Sequence, residues 1–192
     1  MASWNKAFAT KGRLFGTEPS AIVAEALNRW RPLREQPLAL DIGAFTGRNT
    51  LFLARNGFKV IALDPAVEPL KDLQANAAGL SVDIQVGMLE KYEWNRQFDF
   101  IVCVNVLHLL SPEDATHAIH AMKQNTVPGG INVVTVFTSK PFDGQKKVFA
   151  HNELKEAYAD WDILHYEERT GKLAVGGTAE VADIIAKRPL DK

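Results

Sequence analysis

Two acids and two glycines between residues 38 and 64 carry the densest chemical signal in the chain. An apolar run, Leu38-Ala39-Leu40, leads into Asp41, Ile42 and a tight turn bounded by Gly43 and Gly47. A second apolar run, 58–63, ends at Asp64. Glycines let a backbone approach a ligand closely. An acid that closes the second strand about 20 residues after such a turn sits where ribose hydroxyls arrive. The pattern predicts a site for a ligand that contains a nucleoside. His108, just past a later apolar run, is the candidate general base, because the carboxyl edge of an open sheet is where ligands bind. The competing reading is a histidine packed in a helical turn with one hydrogen bond.

These residues need strands and helices in alternation to hold them. Apolar periodicity predicts a helix over 19–30, with Ile22, Val23, Ala26, Leu27 and Trp30 on one face. Strands follow at about 38–43, 58–64, 82–87 and 98–105, with helices at 47–56 and 67–78 between them. Gly79 stands where a helix C-terminal cap belongs. The centre of 98–105 is apolar on both faces, as a parallel sheet requires. Ser111-Pro112-Glu113-Asp114 is a helix start: N-cap serine, proline at N1 and acids in the first turn. Pro128-Gly129-Gly130 reads as a turn into a fifth strand at 131–138, followed by a loop over 139–150. A short helix at 151–158 and strands at 161–168 and 178–187 complete the chain. The expected fold class is α/β: a doubly wound, mostly parallel, seven-stranded sheet with an antiparallel edge and helices on both faces. One domain spans 1–192, with 1–18 as an N-terminal arm or lid carrying Trp4, Phe8, Phe15 and Glu18.

Composition excludes several classes. The formal net charge is −1 and there is no basic run beyond Lys146-Lys147, so a nucleic-acid partner is not expected. No run of about 18 apolar residues predicts a membrane span, and the N-terminus lacks the apolar stretch of a signal peptide. The single cysteine, Cys103, allows no intrachain disulfide and suits a cytoplasmic location. Cysteine and histidine spacing offers no metal site. Partners reduce to a small-molecule substrate, and the oligomeric state is not legible.

The turn decides between nucleosides. A dinucleotide fold wants Gly-x-Gly-x-x-Gly, with its third glycine inside the helix. Here Gly43 and Gly47 are separated by Ala44, Phe45 and Thr46, and Arg48 follows. Asp-x-Gly-x-x-x-Gly is closer to the turn that holds the methionine part of S-adenosyl-L-methionine (SAM). The strings ALDIGAFTGRNTLFLARNGFKVIALD, QFDFIVCVNVLHLL and VPGGINVVTVF resemble, in order and spacing, the successive motifs of class I SAM-dependent methyltransferases over about 38–138. GRNTLFLARNGFKV and KVFAHNELKEAYADWDILHYEE are similar to the tellurite-resistance-type members, extending the resemblance to about 168.

The resemblance implies SAM as cofactor and methyl transfer to a small molecule. It implies that Gly43, Ala44 and Gly47 line the methionine moiety, with Asp41 helping to orient it. Asp64 takes the ribose hydroxyls and Pro65 packs on adenine. Met88 and Leu89 hold adenine by backbone and apolar contact, where the family often has an acid. Val104 and Asn105 lie near the transferable methyl. Phe45 stands where the family usually has glycine, and a positive φ there strains a bulky residue. That departure motivates an alternative: a degenerate SAM-binding fold acting as a binding or regulatory module. The His-Arg pair of the tellurite-type last hairpin has no counterpart in 170–177, so a tellurite substrate lacks residue-level support.

Overall fold

The computed structural model describes residues 16–140, 144–173 and 176–191. The described residues form a seven-stranded sheet in the order β3-β2-β1-β4-β5-β7-β6. The strands are β1 (Leu38–Ile42), β2 (Lys59–Asp64), β3 (Val82–Val86), β4 (Phe98–Val104), β5 (Thr126–Phe137), β6 (Asp162–Lys172) and β7 (Thr178–Lys187). β1 to β5 pair in parallel, whereas β7 runs antiparallel between β5 and β6. The antiparallel pairings thus lie at one side of the sheet, as the fold class required.

Alternation along each strand sends one set of side chains to each face. Ala39, Val60, Phe100, Val102, Ile131, Val133 and Ile185 meet α1 (Ala21–Arg29) and α2 (Arg48–Arg55). α3 (Val67–Asn76) joins them by packing Leu70 and Leu73 on Ala62. Leu40, Ile61, Ile101, Val134 and Ile184 face the other way, onto α4 (Pro112–Gln124) and α5 (Glu153–Ala157). β4 is buried along nearly its whole length, which explains its unbroken apolar run. Trp30, Phe58 and Phe100 interlock, Phe58 and Phe100 edge-on at 5.4 Å between ring centroids. α4 starts as expected: the Ser111 hydroxyl accepts the Asp114 N–H at 3.1 Å, with Pro112 at N1.

Three boundaries differ from the sequence reading. β5 begins at Thr126, so Pro128-Gly129-Gly130 lies inside the strand as an irregularity, not before it. Phe98 pairs with Thr126 but Phe100 pairs with Ile131, and the extra residues are absorbed between them. A Cβ on Gly130 would stand 2.9 Å from the Asp99 carbonyl, so the close approach demands glycine. β6 continues to Lys172, well past 168. Its alternating polar residues hid this extent, because an edge strand needs only one apolar face. α5 is shorter than 151–158, since Asn152 takes φ +61° and blocks an earlier start.

Candidate functional site: the cleft at the carboxyl edge

β1, β2 and β4 all end at the same edge, and the chain turns away from β1 in opposite directions on its two flanks. That divergence opens a cleft of about 280 Å³. Gly43, Ala44, Phe45, Asp64, Pro65, Met88, Leu89, Val104 and Asn105 all line it, as the sequence reading grouped them.

The turn after β1 folds back on itself. The Gly43 and Ala44 N–H groups both donate to the Leu63 carbonyl, and the Gly47 N–H donates to that of Ala44. Gly43 takes φ +77°, and a Cβ there would come within 2.4 Å of Val106 Cγ2. This glycine lets the turn and the segment after β4 close together at the cleft floor. Phe45 takes φ +50° and is only 8% exposed. The expected backbone strain is therefore present, at a residue with no glycine freedom. Its geometry aims the Phe45 N–H at Asp64 Oδ2, at 2.9 Å.

Asp64 is 7% exposed. Its Oδ1 accepts the Ala66 N–H at 2.7 Å, while Oδ2 accepts that of Phe45. Burial raises its pKa, and these two backbone donors pull the other way. Each carboxylate oxygen keeps a second lone-pair direction, so two further donors can be accepted. A pair of ribose hydroxyls fits that capacity.

Two residues of the sequence reading do not reach the cleft wall. Asp41 is buried under α2, where its Oδ2 accepts the Thr50 hydroxyl at 2.5 Å. Burial pushes its pKa up to about 6 against the hydrogen bonds from Thr50 and the charge of Arg48. Asp41 ties helix to strand and acts on the site only through the turn between them. Gly47 takes φ +85°, and a Cβ there would lie 2.2 Å from Leu73 Cδ1. This glycine serves the contact of α2 with α3. A sequence does not distinguish a glycine that admits a ligand from one that admits a leucine.

His108 is also placed elsewhere. It sits in a short 3-10 turn, Leu107–Leu109, and is 1% exposed. Its ring packs edge-on against Phe137 at 4.4 Å between centroids. Burial pushes its pKa down to about 4. Leu109 and Leu110 line the cleft, but His108 does not. The geometry corrects the expectation of a base in contact with substrate: Leu109 and Leu110 border the cleft, while Leu107 and His108 are buried away from it.

Other lining residues were missed or weighed evenly. Arg48, Asn49, Gly87, Glu90, Val106 and Lys146 also stand in the wall. Asn49 Oδ1 accepts the Ser20 N–H at 2.8 Å, so the segment before α1 is fastened to the first turn of α2. Lys146 arrives because its backbone N–H donates to the His108 carbonyl at 3.0 Å. No periodicity signals such a loop-borne arrival. Of the proposed lid, Trp4, Phe8 and Phe15 lie outside the described residues, and Glu18 is exposed away from the wall. Among the described residues no cluster of three metal-ligating side chains occurs, and no helix is long and apolar enough to cross a membrane.

A parallel sheet with a late antiparallel strand, a glycine turn after β1 and an acid ending β2 define a Rossmann-like class of nucleoside-binding folds. The family model described as Tellurite resistance protein TehB matches residues 11–182, and the chain belongs to that family. The chain is 33% identical over 143 residues to a probable S-adenosyl-L-methionine-dependent methyltransferase TehB of Haemophilus influenzae, covering 70% of this chain and 49% of the relative. It thus spans about half the length of that curated relative. The crystal structure of TehB from Haemophilus influenzae superposes with a TM-score of 0.81 at 26% identity, covering 96% of this chain and 67% of that one. The N-methyltransferase NodS of Bradyrhizobium japonicum, in complex with S-adenosyl-L-homocysteine, shares the fold at a TM-score of 0.71 and 16% identity, with 97% and 98% of the two chains covered.

Proposed function

We propose that this chain transfers a methyl group from SAM to a small-molecule acceptor held in the cleft. The observation that carries the reading is Asp64, a buried carboxylate fixed by two backbone N–H groups with two acceptor directions left over. Asp64 would take the ribose hydroxyls, and Pro65, Met88 and Leu89 would enclose adenine. Gly43, Ala44 and Phe45 would border the methionine moiety, leaving Val104 and Asn105 beside the methyl. When bound, SAM supplies a methyl already activated by its sulfonium. The residues of the cleft then have to align a nucleophile and exclude water, which apolar walls from Val104, Val106, Leu109 and Leu110 favour. The chemistry asks for no base at His108. The lone cysteine, buried in β4, suits a reducing compartment, and we place the chain in the cytoplasm on that ground.

Isothermal titration calorimetry with S-adenosyl-L-homocysteine tests the reading. Micromolar or tighter binding at one site is the expected result. Phe45 motivates the second reading, a degenerate binding module, because a bulky residue stands in the cleft wall at positive φ. If the wild-type protein binds neither SAM nor S-adenosyl-L-homocysteine at millimolar ligand and Phe45→Gly restores binding, the module reading replaces the enzyme.

A further inference from the structure

The two edges of the sheet are finished differently. β6, at one end, has a bulge between Ile163 and His165 and sets charged side chains such as Glu167 and Arg169 along its length. Bulges and charges keep an edge strand from pairing with another chain. β3, at the other end, keeps an unbroken register with β2 and reads Val-Asp-Ile-Gln-Val, with neither lysine nor proline. No described residue pairs with its outer side. Between β3 and α3 runs a groove of about 430 Å³, lined by Val67, Leu70, Val82, Ile84 and Val86 among others. Val86 is 60% exposed and Val67 43%, so exposed apolar side chains share one groove here instead of standing singly.

The backbone of β3 narrows what can join it. In a parallel ladder alternate residues turn their N–H and C=O groups to the neighbouring strand. The Ser81 carbonyl accepts the Val60 N–H at 2.9 Å, and the Gly87 N–H donates to the Asp64 carbonyl at 3.2 Å. Ser81, Asp83, Gln85 and Gly87 thus face β2, and Val82, Ile84 and Val86 turn their groups outward. The Val82 N–H is taken by the Leu80 carbonyl at 3.1 Å. The N–H groups of Ile84 and Val86 and the carbonyls of Val82, Ile84 and Val86 stand at the edge. A second β3, laid antiparallel about a dyad at Ile84, meets this pattern. The two Ile84 residues exchange N–H···O bonds, and each Val86 N–H reaches the partner's Val82 carbonyl.

We propose that two copies of this chain pair antiparallel along β3 about a dyad at Ile84, joining their sheets into one. Side-chain and charge complementarity select this occupant and this register. On the α3 face, where Val82 and Ile84 pack toward Leu70 and Leu73, the register sets valine opposite valine and isoleucine opposite isoleucine. On the other face Asp83 comes opposite the partner's Gln85. Within one chain Gln85 Nε2 already donates to Asp83 Oδ2 at 2.9 Å, and the pairing offers the same donor and acceptor across the dyad twice. No like charges meet. A dyad at Asp83 would instead set the two carboxylates against each other, which is unfavourable. A C2 contact of this kind is self-complementary and closes on itself, so it stops at two copies.

Sedimentation velocity of the wild-type chain, from micromolar to hundreds of micromolar, tests the proposal without any ligand. The mass should rise with concentration from that of one chain to that of two. Gln85→Asp sets a carboxylate opposite Asp83 at both ends of the pairing and should weaken the dimer about tenfold, whereas Gln85→Lys should tighten it about threefold. Both shifts should shrink in high salt. Ile84→Pro removes an outward N–H without touching the ladder to β2, and edge strands accept proline in that position. It should leave a folded monomer, with circular dichroism as the check on folding. If that variant does not fold, the opposed Gln85 pair carries the result. A wild-type chain that stays monomeric throughout overturns the proposal and leaves the edge to a foreign strand. A dimer whose strength moves the same way in both Gln85 variants, or in neither, overturns it as well, since the contact then lies elsewhere. So does a folded Ile84→Pro variant that still dimerises.

Discussion

The two flanks of β1 build the cleft by opposite means. On the β2 flank the wall carries a charged group that is already engaged: Asp64 is held by backbone donors, and the turn that supplies one of them is itself hydrogen-bonded to β2. On the β4 flank the wall is apolar, and the one amide in it has an oxygen left without a partner among the described residues. Each flank nevertheless contains a non-glycine residue at positive φ, Phe45 on one side and Asn105 on the other. In both cases the strain aims a backbone N–H at a fixed acceptor, Asp64 for Phe45 and the Thr135 carbonyl for Asn105. The difference lies in what remains available. The β2 flank is preorganised to accept two more donors at a charged group, which suits a constant ligand. The β4 flank offers an apolar shape, which suits a ligand that varies between enzymes of one fold.

The comparison breaks most visibly at Gly47. If this glycine belongs to the packing of the β2 flank and not to its ligand, its replacement should cost stability. Gly47→Ala places a Cβ against Leu73 at positive φ. Overpacking and left-handed strain together should cost about 2–5 kcal/mol in urea unfolding. In a Leu73→Ala background the steric part disappears, and the same change should cost only about 1–2 kcal/mol. A cost that stays the same in both backgrounds would show that Leu73 is not what the glycine accommodates.

The next effect sharpens the charged flank. Asp64→Ala should weaken S-adenosyl-L-homocysteine binding by about 1.5–3 kcal/mol, roughly ten- to a hundredfold, because the hydrogen bonds lost are to a charged group. Asp64→Asn keeps an acceptor oxygen and should fall between wild type and alanine. Equal calorimetric affinity in a folded Asp64→Ala variant would remove the ribose assignment.

The contrast between flanks also decides what was legible in the sequence. The β2 flank announces itself, because an acid, a glycine turn and a second acid lie within 27 consecutive residues, 38–64. Strand and helix order followed from apolar runs and from caps such as Ser111. The positive φ at Phe45 entered the reading only as a condition, drawn from the glycine that the resembling family usually has there. The roles within the turn were harder: Asp41 and Gly47 belong to the same string as Gly43, yet they face Thr50 and Leu73. Along a turn, neighbouring residues point in different directions, and spacing alone does not give the sign. On the β4 flank the reading reached Val104 and Asn105 but took His108 for the base from its place just past the strand, and that place does not say which way a ring in the 3-10 turn points. Asn105 did have a signal, for asparagine is among the few residues that tolerate the left-handed region. Lys146 had none, because a main-chain hydrogen bond to His108 brings it there.

The smallest effect is a pair of opposed titrations, one buried group on each flank. Asp41 has its pKa raised to about 6 by burial. The folded chain therefore holds a proton there that the unfolded chain, with a carboxyl near 3.9, has already released. Stability from this group falls as pH rises from about 4 to 6. His108 has its pKa lowered to about 4 by burial, so between pH 4 and about 6.5 the unfolded chain holds the extra proton. Stability from this group rises over nearly the same window. The two slopes oppose each other, and the wild type should show a shallow dependence in urea unfolding from pH 4 to 6.5. Each substitution should uncover the other group. Asp41→Asn keeps a partner for the Thr50 hydroxyl and removes the carboxyl, so its stability should climb with pH by about 1–2 kcal/mol. His108→Gln removes the imidazole, so its stability should decline over the same range by a similar amount. Parallel pH profiles for the two variants would mean that at least one group is reached by water in the folded chain. That would make the two flanks of β1 alike in dielectric as well as in backbone strain.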